Sequence, residues 1–190
     1  KKIMKHIFTI FTLAFFAIFV IAKEVPNNSF ELWQTADEGH EDPISWGTAN
    51  STTNVFPIDK VTTEKSSDAY DGSFAAMLTS KTVLTFVAPG FITLGQFDID
   101  LWTKVTSITG GIEYNLYPNK LTAFVKYAPV EGDFFRLGMW MLRDDGTEVP
   151  DTVATALYDG AEALNEYTFI SADVEYRNEF ESEILNIIAI

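Results

Sequence analysis

The chain contains no cysteine. That excludes disulfides, thiolate metal sites and lipid attachment at a cysteine behind the N-terminal leader. Histidine is nearly absent, with two residues in 190. One of them, His6, sits in the leader, so any imidazole chemistry would rest on His40 alone. No nucleophile elbow, phosphate loop, dinucleotide fingerprint or zinc spacing occurs. Basic residues are scarce: 13 Lys and Arg stand against 27 Asp and Glu, a formal charge of −14. Such a surface repels nucleic acid and anionic lipid, and suits an exported protein or one that holds cations.

Long apolar runs are limited to one. Ile7 to Ile21 spans about fifteen residues, short of the roughly twenty needed to cross a bilayer and right for a secretory signal. Lys5 precedes it, and Val20-Ile21-Ala22 offers the small residue a signal peptidase reads. Residues 1–22 are therefore read as a signal peptide, with Met4 as the natural start. The mature protein is expected to be secreted, periplasmic or on the cell surface, without membrane insertion after cleavage. Residues 23–190 are read as one domain. Its end, Ile184 to Ile190, is an apolar strand without a polar tail and is read as truncated there.

What the sequence does have is aromatic mass and alternation. Aromatics make up 14% of the chain, with 16 Phe, enough to build a core without disulfides. No segment carries a clear helical period. About nine strand-like runs follow one another, separated by turn signals. Asn27-Asn28-Ser29-Phe30 and Tyr70-Asp71-Gly72-Ser73 are turns that lead straight into apolar strands, and Asp144-Asp145-Gly146 is a hairpin signal. Leu121 to Tyr127, Phe134 to Leu142 and Tyr167 to Tyr176 alternate. Pro150 restricts Val149–Leu157 to an edge or a loop. Asp159 to Ala163 could form one helical turn. Thr35 to Ser51, including His40 among acids, reads as a solvated surface loop. The expected fold is all-β: an antiparallel β-sandwich of the jelly-roll type.

Two groups of residues suit a sugar, whose rings offer an apolar face and a rim of hydroxyls. On the first, Arg136 and Trp140 oppose Phe135, Leu137, Met139 and Met141. If the neighbouring strands pair, Phe124, Lys126, Phe169, Asp173 and Glu175 join the Arg136 and Trp140 face. An indole, a guanidinium and carboxylates together would then meet both parts of a sugar. A Trp covered by a loop and an ordinary cross-strand ion pair at Arg136 are the plainer reading. The second group is Asp98, Asp100 and Trp102, on one side of a strand. The spacing of the two acids, roughly 6–7 Å, overlaps that of inverting glycosidases, but any strand gives it automatically.

The two turn-strand junctions resemble the entry of galactose-binding-like jelly-roll modules. More specifically, Gly111, Tyr114, Pro118, Leu121, Phe124-Val125-Lys126-Tyr127, Pro129 and Gly132-Asp133 resemble the putative carbohydrate metabolism domain (PCMD) family of secreted Bacteroidetes proteins. Phe30-Glu31-x-Trp33 and Gly72-Ser73-Phe74-Ala75-Ala76 fit the same pattern, so the resemblance covers about residues 28–190. It implies a jelly roll, export and a carbohydrate context. Modules of this kind often hold a structural Ca2+ between the first strand and the Gly-Ser turn, and Glu31 and Asp71 are the matching positions; two solvated surface acids are the plainer reading. The leading expectation is a non-catalytic carbohydrate-binding or glycan-associated module. The alternatives are a structural or adhesive surface domain and a glycoside-active enzyme.

Overall fold

The structure, a computed structural model, describes residues 24–37, 39–54, 59–83, 86–100, 105–130, 132–147, 150–177 and 181–190. The leader assigned to 1–22 lies outside them. Among the described residues no helix is long and apolar enough to cross a membrane.

Short antiparallel strands make up nearly all of the regular structure. The N-terminal half holds β1 (Trp33–Thr35), β2 (Glu41–Pro43), β3 (Gly47–Thr48), the single turn α1 (Asn50–Thr53), β4 (Thr63–Ser66), β5 (Ala75–Leu78), β6 (Lys81–Val83), β7 (Phe86–Ala88), β8 (Ile92–Thr93) and β9 (Gln96–Asp100). The C-terminal half holds β10 (Val105–Thr109), β11 (Ile112–Glu113), β12 (Lys120–Tyr127), β13 (Phe135–Arg143), β14 (Asp151–Gly160), β15 (Leu164–Asp173), β16 (Glu175–Tyr176) and β17 (Ile184–Ala189).

Among the described residues the main sheet has seven strands, in the order β16-β14-β13-β17-β8-β3 with β11 also on β17. A second layer pairs β12 with β15. The two layers close on one core. Leu121 and Ala172 come from the second layer, and Met139, Met141, Val153, Ala154, Ala156, Leu185 and Ile187 from the main sheet. Met139 and Met141 are essentially sealed from solvent, a burial that contributes about 1.5–3 kcal/mol for each side chain. This is the antiparallel β-sandwich that the alternation predicts. The period of two sends Leu137, Met139 and Met141 inward and leaves Arg136 and Trp140 outside.

Three local expectations need correction. Val149–Leu157 is no edge or loop: β14 runs ten residues between β13 and β16. Pro150 stands just before the strand, where its missing N–H removes no ladder bond. Asp159 to Ala163 does not form a helical turn, because Asp159 and Gly160 finish β14 against Arg136 and Phe135. Nor is the 35–51 segment a solvated loop: it contributes β2, β3 and α1, and His40 is 5% exposed.

Candidate functional site

The second layer carries an aromatic surface on its outer side. In β12, Leu121 is buried and Phe124 is exposed, as alternation requires. In β15, Phe169 stands directly opposite Phe124, with ring centroids 5.3 Å apart and planes inclined by 58°. The turn that ends at Gly72 folds back over these strands. Its Tyr70 ring lies flat on Phe124, 3.6 Å between centroids and 8° from parallel, and meets the edge of Tyr167 at 6.0 Å. Tyr70, Phe124 and Phe169 remain 56%, 41% and 55% exposed, so the platform is open to solvent.

Charge and hydrogen bonds hold the turn down. Lys126 Nζ reaches both Asp68 carboxylate oxygens, at 2.9 and 2.8 Å, and lies 4.8 Å from the centre of the Tyr167 ring. The Tyr167 hydroxyl donates to the Asp68 carbonyl at 2.6 Å. Asp68 bonding holds the Lys126 ammonium above its ordinary pKa. Burial, with the Asp68 charge, pushes the Tyr167 phenol up.

The structure therefore divides the residues expected to share one face. Phe124, Lys126 and Phe169 meet, because β12 pairs with β15. Arg136 and Trp140 lie on the outer side of the main sheet, because β13 pairs with β14 and β17 instead. There Arg136 makes a two-pronged ion pair with Asp159, at 2.6 and 2.7 Å. That pair holds the Asp159 carboxyl below its usual range. Trp140 is half-buried. Its ring passes over Gly138, where an added Cβ would come within 2.3 Å of it. Arg136 takes the plainer of its two readings, a cross-strand ion pair, while Trp140 lies along its own strand. Tyr70 and Tyr167, which complete the platform, were not among the sugar-contacting residues read from sequence. A Tyr at the tip of an Asp-Gly turn was the available signal.

Asp98 is exposed on β9, opposite Ser107 of β10. Trp102 and the side chain of Asp100 lie outside the described residues.

Glu31 and the Gly-Ser turn do meet. Glu31 Oε1 accepts from the backbone amides of Ser73 and Phe74, at 2.8 and 2.9 Å, and Asp71 is exposed beside them. The turn thus offers N–H donors to the carboxylate, whereas calcium needs six to eight oxygens. Among the described residues no three His, Cys, Asp or Glu side chains gather as a metal site.

His40 belongs to a buried polar network. Its Nε2 is 3.0 Å from Asp42 Oδ2 and its Nδ1 is 3.2 Å from the Asn54 amide nitrogen. Asn54 as donor leaves the ring proton on Nε2, directed at Asp42. The other Asp42 oxygen accepts from Thr48 Oγ1 and Asn50 Nδ2, at 2.8 and 2.9 Å. Asn50 is fully buried and also binds the backbone of Thr62 and Thr63. Mutual hydrogen bonding, rather than solvent, satisfies these groups.

A scan of protein-family models finds no match, and neither does a search of curated proteins. Solved structures do match in fold. One is a putative glycoside hydrolase from Bacteroides thetaiotaomicron, with TM-score 0.59 and 15% identity over 85% of this chain. This chain spans 62% of the length of that protein. Another is a putative glycoside hydrolase from Bacteroides vulgatus, with TM-score 0.55 and 17% identity, covering 83% of this chain and 80% of that one. At these identities the likeness establishes a shared all-β architecture.

Proposed function

We propose that this chain is an exported, non-catalytic carbohydrate-binding module related to the PCMD-like jelly rolls. The observation that carries the proposal is the open platform of Tyr70, Phe124 and Phe169, rimmed by the Lys126–Asp68 pair. Aromatic faces stack on the C–H face of a sugar, and hydroxyl and charged groups at their margin meet its hydroxyls. Export places such a surface where polysaccharides are found, and the names of the structural neighbours lie in the same carbohydrate context. The test is isothermal titration calorimetry of the full chain against a panel of soluble polysaccharides. Binding that Phe124→Ala weakens about tenfold supports the proposal. Absence of heat with every polymer removes it.

The names of the structural neighbours, putative glycoside hydrolases, favour a second reading, a glycoside-active enzyme. Two facing carboxylates in a cleft would then be needed, one of them with a raised pKa. Asp145 and Asp159 are held down by Thr147 and Arg136, so neither of these two suits the general acid. Release of reducing ends from any bound polymer would favour the enzyme.

A further inference from the structure

We infer that the platform takes single, soluble chains of neutral polysaccharide rather than the flat face of a crystalline one, an inference that rests on the carbohydrate-binding reading above. The argument begins with ring planes. Tyr70 is within 8° of parallel to Phe124, and Phe124 is inclined by 58° to Phe169. The Tyr70 and Phe169 planes therefore meet at 50° to 66°. Tyr70 is also raised above the sheet, since its ring rests on that of Phe124.

A pyranose that stacks on an aromatic ring lies parallel to it. Two sugars gripped by Tyr70 and Phe169 must then be turned against each other by a similar angle. An isolated chain that coils in solution can present its sugars that way. The surface of crystalline cellulose or chitin presents coplanar sugars, so only one of the two rings could stack on it.

Charge narrows the ligand further. Asp68 engages Lys126 through both oxygens, so the platform's ammonium is already neutralised. Asp71 and Glu166 are exposed close by, on a chain with formal charge −14. A uronate or sulfate polymer would meet like charge there. A neutral chain needs no counter-ion and loses nothing by this.

The test combines two measurements on the full chain. Native affinity electrophoresis uses gels containing a soluble β-1,3-glucan, soluble starch, a β-1,4-linked xyloglucan or pectate. Depletion assays use microcrystalline cellulose and chitin. Retardation by at least one neutral gel is expected, without retardation by pectate and without depletion onto the crystals. Tyr70→Ala and Phe169→Ala should each weaken that retardation about tenfold, and Tyr70→Phe should retain it. Circular dichroism checks that each variant is folded. Depletion onto crystals without soluble binding overturns the inference and leaves the binding module standing, as does retardation by pectate alone. Retention of full binding by folded Tyr70→Ala and Phe169→Ala also overturns it. Failure to bind every polymer removes the binding module itself.

Discussion

Glu31 reaches the Ser73 amide at 2.8 Å across 42 residues of sequence. The same oxygen takes the Phe74 amide, so one carboxylate ties the first turn of the domain to the entry of β5. Gly72 is needed there for two reasons. Its φ is +72°, and a Cβ would stand 2.3 Å from Glu31 Oε1. Glu31→Ala leaves two amides without their acceptor, at a site where water can partly replace it. The expected loss is about 1 kcal/mol in urea denaturation. Chelation with EDTA should leave the melting temperature of the parent protein unchanged. A fall on chelation that Glu31→Ala abolishes would instead place a calcium ion at this turn.

Asn50 predicts a larger effect. It is fully buried and bridges Asp42, Thr62 and Thr63. Asn50→Ala leaves the buried amides of Thr62 and Thr63 and the Thr63 carbonyl short of partners, each costing about 1–3 kcal/mol, and takes one of two donors from the part-buried Asp42 oxygen. The expected loss in urea denaturation is therefore about 3 kcal/mol or more. Asn50→Asp keeps the shape but sets a second carboxylate against Asp42, and should be no better. A loss below about 1 kcal/mol for Asn50→Ala would show that water replaces the network.

The contrast between these regions shows what the sequence can disclose. Alternation in Leu121 to Tyr127 and in Phe134 to Leu142 correctly divides inward from outward side chains, because that division is local. Which strand lies beside which is not local. Phe124 finds Phe169 across 45 residues of chain, and nothing in either segment excludes pairing with β13. The expected single sugar face was therefore divided between two layers. His40 illustrates a different limit. Its neighbours are polar, and polar composition ordinarily signals solvent. Here Asp42, Asn54, Thr48 and Asn50 satisfy one another, and burial follows from geometry that composition does not encode. The Glu31 link to the Gly-Ser turn was anticipated as a meeting of two segments, but sequence could not show that amide donors fill it.

Gly138 tests the outer side of the main sheet. A Cβ there would come within 2.3 and 2.5 Å of the Trp140 ring and 3.0 Å of Leu157. The indole is rigid, so Gly138→Ala must turn it away from the strand. The expected outcome is a loss of about 1–3 kcal/mol, with a red shift in tryptophan emission as the ring becomes more hydrated. Trp140→Phe in the same background should remove the emission change. Unaltered emission and stability in Gly138→Ala would mean that the ring does not rest on this glycine.

The Arg136–Asp159 pair gives a prediction with a definite sign in pH. Asp159 is held below its usual pKa chiefly by the hydrogen bonds from Arg136, while the Arg136 pKa is raised by the same partner. The guanidinium stays charged at every accessible pH, so the carboxylate is the member that titrates. A depressed folded-state pKa stabilises the protein above the unfolded value, near about 3.9 for Asp, and that contribution fades as pH falls through the folded value. The pair is about half exposed, so the effect should be small and screened by salt. The melting temperature of the parent should exceed that of Asp159→Asn by a constant margin from about pH 5 to 7, and the margin should close in more acidic buffer. Raising the salt to about 1 M should shrink the margin at neutral pH. If the margin instead persisted unchanged well below about pH 4, the ionised carboxylate could not be its source. The cross-strand bonds to Arg136 would then owe their stability to shape rather than charge.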